Sequence, residues 1–317
     1  MASVARRSML ASLPGLMLLR DAAAAPTKVS VGTASEGGAF VLYGGALIDA
    51  LKSVEPSLEM RERMTRGTLD NVPMLERGEL DIGFVFGEVV HELFSGVGGA
   101  TTKLTVISVM YPTPGMFAVR ADSRYRSITD LQGRPVVWNA RGSGLAVQGR
   151  YVMSGMGLDV DTYFDSVYPE QLSDGPAMVI DGTASALWGG GLRWPGFVTI
   201  ANNPNGVRFV VPTPEETDRI LAKYDFLRRF TVPAGLYAGQ SEPIQSVGSW
   251  SFILARADLD ETVGYRLAAG LHRVERAGLS PRQLGQSTAK NTLAAVSSPD
   301  VLHPGVRRFY QEQGLIK

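Results

Sequence analysis

The chain of 317 residues has no cysteine, only three histidines and no net charge, with 31 basic residues facing 31 acidic ones. Without cysteine there is no disulfide, no thiol nucleophile and no thiolate ligand for zinc, so the fold depends on its apolar core. His91, His272 and His303 lack metal-ligand spacing. The even charge balance supplies none of the basic excess that nucleic acid binding needs. No Gly-x-Gly-x-x-Gly nucleotide fingerprint occurs, and Gly-x-Ser-x-Gly fails because Arg141 stands where a glycine must precede Ser143. No repeat, no low-complexity tract and no apolar run of about 20 residues, the length a membrane helix needs, is found. An exported hydrolase working through an acid such as Glu36 remains the less favoured alternative; the expectation is a protein without catalysis, cofactor or metal.

What is present begins with an address. Arg6-Arg7, the apolar run Met9 to Leu19 and the small residues Ala22 to Ala25 before Pro26 form the pattern of a bacterial export signal over residues 1–25. The paired arginines leave both the Sec and the twin-arginine route open. The expected location is therefore the periplasm. Removing the signal leaves 28 basic and 30 acidic residues, a net charge of −2. About 290 residues can bury a sufficient core, as two domains.

Strand and helix patterns then alternate, which predicts an α/β class. Val29 to Thr33 alternates like a strand, Ala34-Ser35-Glu36-Gly37-Gly38 forms a glycine loop, and Phe40, Gly44, Leu47 and Leu51 share a helix face. Leu58 to Met64 is a second strand and Asn71 to Arg77 a helix stopped by Gly78. Leu80 to Val85 is a buried-type strand. Leu104 to Met110 and Met116 to Arg120 read as two further strands. Val136 to Trp138 leads into Gly142-Ser143-Gly144 and a helix over 145–156. That last unit says most about function. A strand running straight into a glycine-lined helix start leaves amides unpaired and pointing outward, here those of Ser143 and Gly144, so a carboxylate or phosphate can dock there. A helix terminus contributes only about 0.3–2 kcal/mol, whereas micromolar affinity needs about 8, so charged partners are required.

Taken together, Gly32-Thr33 with Gly37-Gly38, Thr65-Arg66-Gly67-Thr68-Leu69-Asp70-Asn71, Leu75-Glu76-Arg77-Gly78-Glu79-Leu80-Asp81, Asp130 to Val136, Gly142-Ser143-Gly144, Pro233 to Tyr237 and His303-Pro304-Gly305 with Tyr310 and Gly314 resemble the TAXI-type solute-binding proteins of tripartite ATP-independent periplasmic (TRAP) transporters. The resemblance implies a two-lobed periplasmic-binding-protein fold of type II kind. Lobe 1 would comprise 26–118 and 250–317, and lobe 2 would comprise 119–249. Met116 to Arg120 and Trp250 to Leu254 would be the hinge crossovers. It further implies a small organic anion or amino acid in the interlobe cleft and membrane permease subunits as partners; a sensor kinase is the alternative partner. Two departures stand out: Phe86 begins Phe86-Gly87-Glu88 where the family commonly has a polar glutamine, and Leu145 stands where threonine usually follows Gly-Ser-Gly.

The expected ligand-binding residues are Ser35, Glu36, Gly37, Gly38, Arg66, Phe86, Arg141, Ser143, Gly144, Trp188, Gly189 and Tyr237. Arg66 and Arg141 either pair with the ligand anion or stand solvated. Glu36 facing inward argues for an amine on the ligand; facing outward it serves only the following helix. Trp188 and Tyr237, beside glycine runs, either wall the cleft or pack in the core. Asp81, Asp130 and Gly133 read as structural, and His303 as a helix-entry residue.

Overall fold

The computed structural model describes residues 25–36, 38–99, 101–141, 143–169, 171, 173–278 and 281–317. The expected export signal except Ala25, together with Gly37 and Gly142 of the two glycine loops, lies outside the described residues. The first half of the chain folds as β1 (Thr27–Gly32), α1 (Ala39–Val54), β2 (Leu58–Arg63), α2 (Thr68–Glu76), β3 (Ile82–Phe86) and α3 (Gly87–Ser95). A 16-residue strand follows, β4 (Thr105–Arg120). Next come β5 (Pro135–Val137), α4 (Gly144–Gly155), α5 (Val160–Tyr163), β6 (Asp165–Val167), α6 (Asp174–Asp181), β7 (Ala186–Gly190), α7 (Pro195–Ala201), β8 (Val207–Val210), α8 (Pro214–Lys223) and β9 (Arg228–Val232). The long β10 (Ile244–Ala255) returns the chain to α9 (Glu261–Arg276), α10 (Ala289–Ala295) and α11 (Pro304–Glu312).

The helical faces follow their spacing. Phe40, Tyr43, Leu47 and Leu51 of α1 and Val263, Leu267, Leu271 and Val274 of α9 recur every three or four residues and are all buried. The strands join in the order β2-β1-β3-β10-β4-β7-β5-β6, with β8 added to β4 and β9 to β10. β1 is parallel to β2 and β3, and β5 is parallel to β6 and β7, while β10 runs antiparallel to β3 and β4. One buried cluster draws on Val29 to Met110 and Phe252 to Tyr310; two others draw on Met116 to Val247. The result is a two-lobed α/β architecture on a curled sheet, in which β4 and β10 belong to both halves.

β4 differs from the expectation of two strands, 104–110 and 116–120. Pro112 and Pro114, which lack an amide to donate, read as a break in sequence. Here they face Trp250 and Gly248 of β10, while β7 and β8 begin pairing with β4 only at Gly115 and Phe117, so the prolines sit on a stretch with one open edge. The helix expected from Asn71 begins earlier, at Thr68, directly after Gly67 at φ +76°. Asp130 caps the turn Ile128–Leu131 by accepting the Arg126 and Ser127 amides, and Gly133 takes φ +63°. His303 caps α11, its Nδ1 accepting the Gly305 amide. Among the described residues no helix is long and apolar enough to cross a membrane, and no group of acidic or histidine residues is placed to hold a metal ion.

Candidate functional site

In open α/β sheets the crevice beyond the carboxyl ends of parallel strands, where helices start, is the ordinary ligand position. Here the loop after β1, the end of β3 and the loop after β5 converge on a cavity of about 510 Å³. Its wall includes Ser35, Gly38, Phe40, Arg66, Thr68 and Phe86 from one side and Ala140, Arg141, Ser143, Gly144, Leu145 and Tyr168 from the other, with Tyr111, Thr113, Gly190 and Trp194 behind. Of the expected residues, Ser35, Gly38, Arg66, Phe86, Arg141, Ser143 and Gly144 are therefore brought together.

The turn into α4 differs by one residue from what the glycine pattern suggests. Ser143 donates its amide to the Ala140 carbonyl at 2.9 Å, and its Oγ accepts the Ala146 amide at 3.3 Å as the N-cap of α4. The amides of Gly144 and Leu145 are left without a partner among the described residues, and both residues line the cavity. Of the expected amide pair Ser143 and Gly144, the Ser143 amide is therefore spent within the turn itself. A β-carbon at Gly144 would lie 2.1 Å from the Phe86 ring, so the glycine lets an aromatic from β3 close over the helix start. Phe86 is fixed by its amide donating to Thr68 Oγ1 at 3.1 Å and by Phe40, whose ring centroid is 5.0 Å away. Gly144→Ala is expected to destabilise the protein by about 1–3 kcal/mol, the cost of overpacking. Urea denaturation reads this, and an unchanged midpoint would show that the two halves part freely at this contact.

The two arginines stand at the rim. Arg66 makes a bidentate pair with Asp70, Nη2 to Oδ1 being 2.7 Å, and is 76% exposed. That pairing holds the Asp70 carboxyl below its usual range, with burial opposing it. Arg141 lies 3.9 Å over the Tyr168 ring and 3.8 Å from Asp161. Burial, and then the hydrogen bond to Asp161, push the Tyr168 hydroxyl up. Each guanidinium thus has a carboxylate neighbour of its own.

Four expected contacts lie elsewhere. Glu36 is exposed and off the cavity wall, which is the outward orientation. Trp188 is fully buried and its indole donates to the Leu145 carbonyl at 3.0 Å, so it supports the start of α4 from behind. Gly189 underlies Trp194, whose ring would meet a β-carbon there at 2.4 Å; Trp194 is the tryptophan that reaches the cavity. Tyr237 is buried, accepts the Arg193 amide and donates to the Gly191 carbonyl, each at 3.0 Å, tying down the turn after β7. The sequence reading missed Thr68, Tyr111, Tyr168 and Trp194. Tyr168-Pro169 stands just past the end of β6, as Ser35 stands past β1, and that shared position was the available signal.

Architecture and cleft define a fold, the two-lobed fold of the periplasmic binding proteins. The chain belongs to the NMT1-like family, whose model matches residues 31–314. Solved structures with the same fold include Tv2483 bound to L-arginine, at 11% identity and TM-score 0.55, covering 82% of this chain and 91% of that one. The alkanesulfonate-binding protein SsuA from Xanthomonas axonopodis pv. citri bound to MOPS matches at 18% identity and TM-score 0.50, over 93% and 96% of the two chains. A TctC solute-binding protein from Polaromonas matches at 11% identity and TM-score 0.50, over 86% and 90%. At these identities the likeness is one of fold.

Proposed function

We propose that the protein is an extracytoplasmic solute-binding protein that captures a small organic anion between its lobes and delivers it to the membrane component of a TRAP transporter. The observation that carries the reading is the cavity itself: two amides at the start of α4 with no partner among the described residues, two paired arginines at the rim and an apolar, aromatic wall of Phe40, Phe86, Leu145 and Trp194. The export pattern at the N-terminus favours a periplasmic protein. The lobes proposed are 26–118 with 250–317, and 119–249, hinged on β4 and β10 and closing over the ligand. Glu36 off the wall favours a plain acid over an amino acid, since among the described residues no carboxylate lines the cavity to await an ammonium. The L-arginine and MOPS held by the neighbours fit a fold that takes small charged ligands.

A thermal-shift screen of dicarboxylates, 2-oxo acids, sulfonates, aromatic acids and amino acids tests this. A ligand present at 100 times its dissociation constant adds about 2.7 kcal/mol of stability. Arg141→Ala is expected to weaken binding of the best hit at least about tenfold, or about 1.4 kcal/mol, with Ser143→Ala costing less because its amide faces the turn. Full affinity in Arg141→Ala by calorimetry would remove that arginine from the site, and silence across the whole acid series would remove the reading.

A further inference from the structure

The cleft continues past the anion site. Ala39 and Tyr111 line the first cavity and also a second one of about 420 Å³, enclosed by α1 and the turn Arg282–Leu284 on one side and by the 192–193 and 234–236 segments on the other. Three features of this second space call for a ligand. Tyr111 Oη is buried and has no hydrogen-bond partner among the described residues, whereas its neighbour Tyr43, with rings 5.7 Å apart, is satisfied by Ser287 at 2.6 Å. An unpaired buried hydroxyl is costly, so an oxygen offered by a ligand recovers that cost. Arg193 is held at φ +59°, a conformation rare for a residue with a side chain, and the buried Tyr237 fixes it through its amide and through Gly191. Neither the Arg193 nor the Arg282 guanidinium makes an ion pair or hydrogen bond among the described residues, although both line this cavity. Between these polar points Leu42, 55% exposed, and Leu236 provide apolar surface.

We propose that the second cavity is a distal subsite that takes the far end of an elongated acid, with its apolar body over Leu42 and Leu236, an oxygen at Tyr111 Oη and a second carboxylate between Arg193 and Arg282. The proposal rests on the reading of the first cavity as the anion site. It gives the strained Arg193 turn and the buried Tyr237 a shared task, presenting one cation into the cleft.

The test is calorimetry of the purified protein with unbranched monocarboxylates and α,ω-dicarboxylates of matched length, from succinate to sebacate. The longer diacids are expected to bind roughly tenfold tighter than the matching monoacids. The double variant Arg193→Gln, Arg282→Gln is expected to lose that gain while keeping monoacid affinity, which also shows that it is folded. A mid-chain oxo group is expected to tighten diacid binding several-fold in the native protein and not in Tyr111→Phe. Equal affinity for mono- and diacids at every length, unaffected by the double variant, overturns the distal subsite and leaves the anion site standing. No binding by any member of either series overturns the anion site, and the subsite with it.

Discussion

Asn71→Ala is expected to lower the unfolding free energy by about 3–5 kcal/mol, because one buried amide satisfies several backbone carbonyls at once. Asn71 is fully buried, and its Nδ2 lies 3.1, 2.9 and 2.8 Å from the carbonyls of Gly32, Thr33 and Phe84, while its Oδ1 accepts the Thr65 hydroxyl at 2.8 Å. The first two carbonyls stand at the end of β1, where the loop to Ser35 leaves the sheet, and the third lies in β3 two residues before Phe86. Truncation strands carbonyls in a dry site at about 1–3 kcal/mol each, with partial relief through relaxation, and opens a cavity besides. The same change is expected to loosen Phe86 and so weaken ligand binding. Urea melts of the variant against the parent read the first effect, and a loss below about 1 kcal/mol would show that the carbonyls find other donors.

Glu88 is expected to make stability fall as pH rises toward and through neutrality. It is fully buried on the first turn of α3, with Oε1 accepting from Gln148 Nε2 of α4 at 3.1 Å and Oε2 without a partner among the described residues. Burial raises its pKa from 4.5 to about 7, only partly offset by hydrogen bonds from the backbone, Ser249 and Gln148, with Glu92 adding to the rise. Between those two values the native state keeps a proton that the unfolded chain has released. The stabilisation is therefore complete below 4.5 and is lost as pH rises through about 7, a change of about 3 kcal/mol at 1.36 per unit. Glu88→Gln mimics the protonated acid. The variant is expected to gain on the parent by that amount at pH 8 and to match it at pH 4.5. Parallel stability profiles for the two proteins from pH 4.5 to 8 would show that the carboxyl is already solvated. Around it, Tyr151 donates to Glu92 and His91 stacks 3.9 Å from Phe226, joining α3 to segments that follow β4, while Gln148 Nε2 also donates to the Thr113 carbonyl of β4, so this titration also acts on the contact between the two halves of the cleft.

Much of the turn into α4 was legible locally. The strand over 136–138, the glycine-flanked Ser143 and the helix behind it are set by backbone conformation and period, which neighbours in sequence control. The start of α1 after Gly38 and the faces of α1 and α9 were legible for the same reason. Trp188 was misplaced because Ala186–Gly190 is buried on both faces, so no alternation tells which side chains point to the cleft. The register of β7 against β4, with Trp188 opposite Phe117, settles it.

By itself the sequence determined the α/β alternation, the helix starts that follow Gly38 and Ser143, the caps at Asp130 and His303, and the lack of any thiol, because each depends on residues within about a helical turn of one another or on composition. Only the tertiary structure decided that β4 is one strand through both halves, that Trp194 and Tyr111 face the cavity while Trp188 and Tyr237 do not, that Glu36 points away, and that Glu88 is sealed between α3 and α4. Those outcomes depend on sheet register and on contacts between segments far apart in the chain, where burial and close approach, and not local propensity, set the free energy.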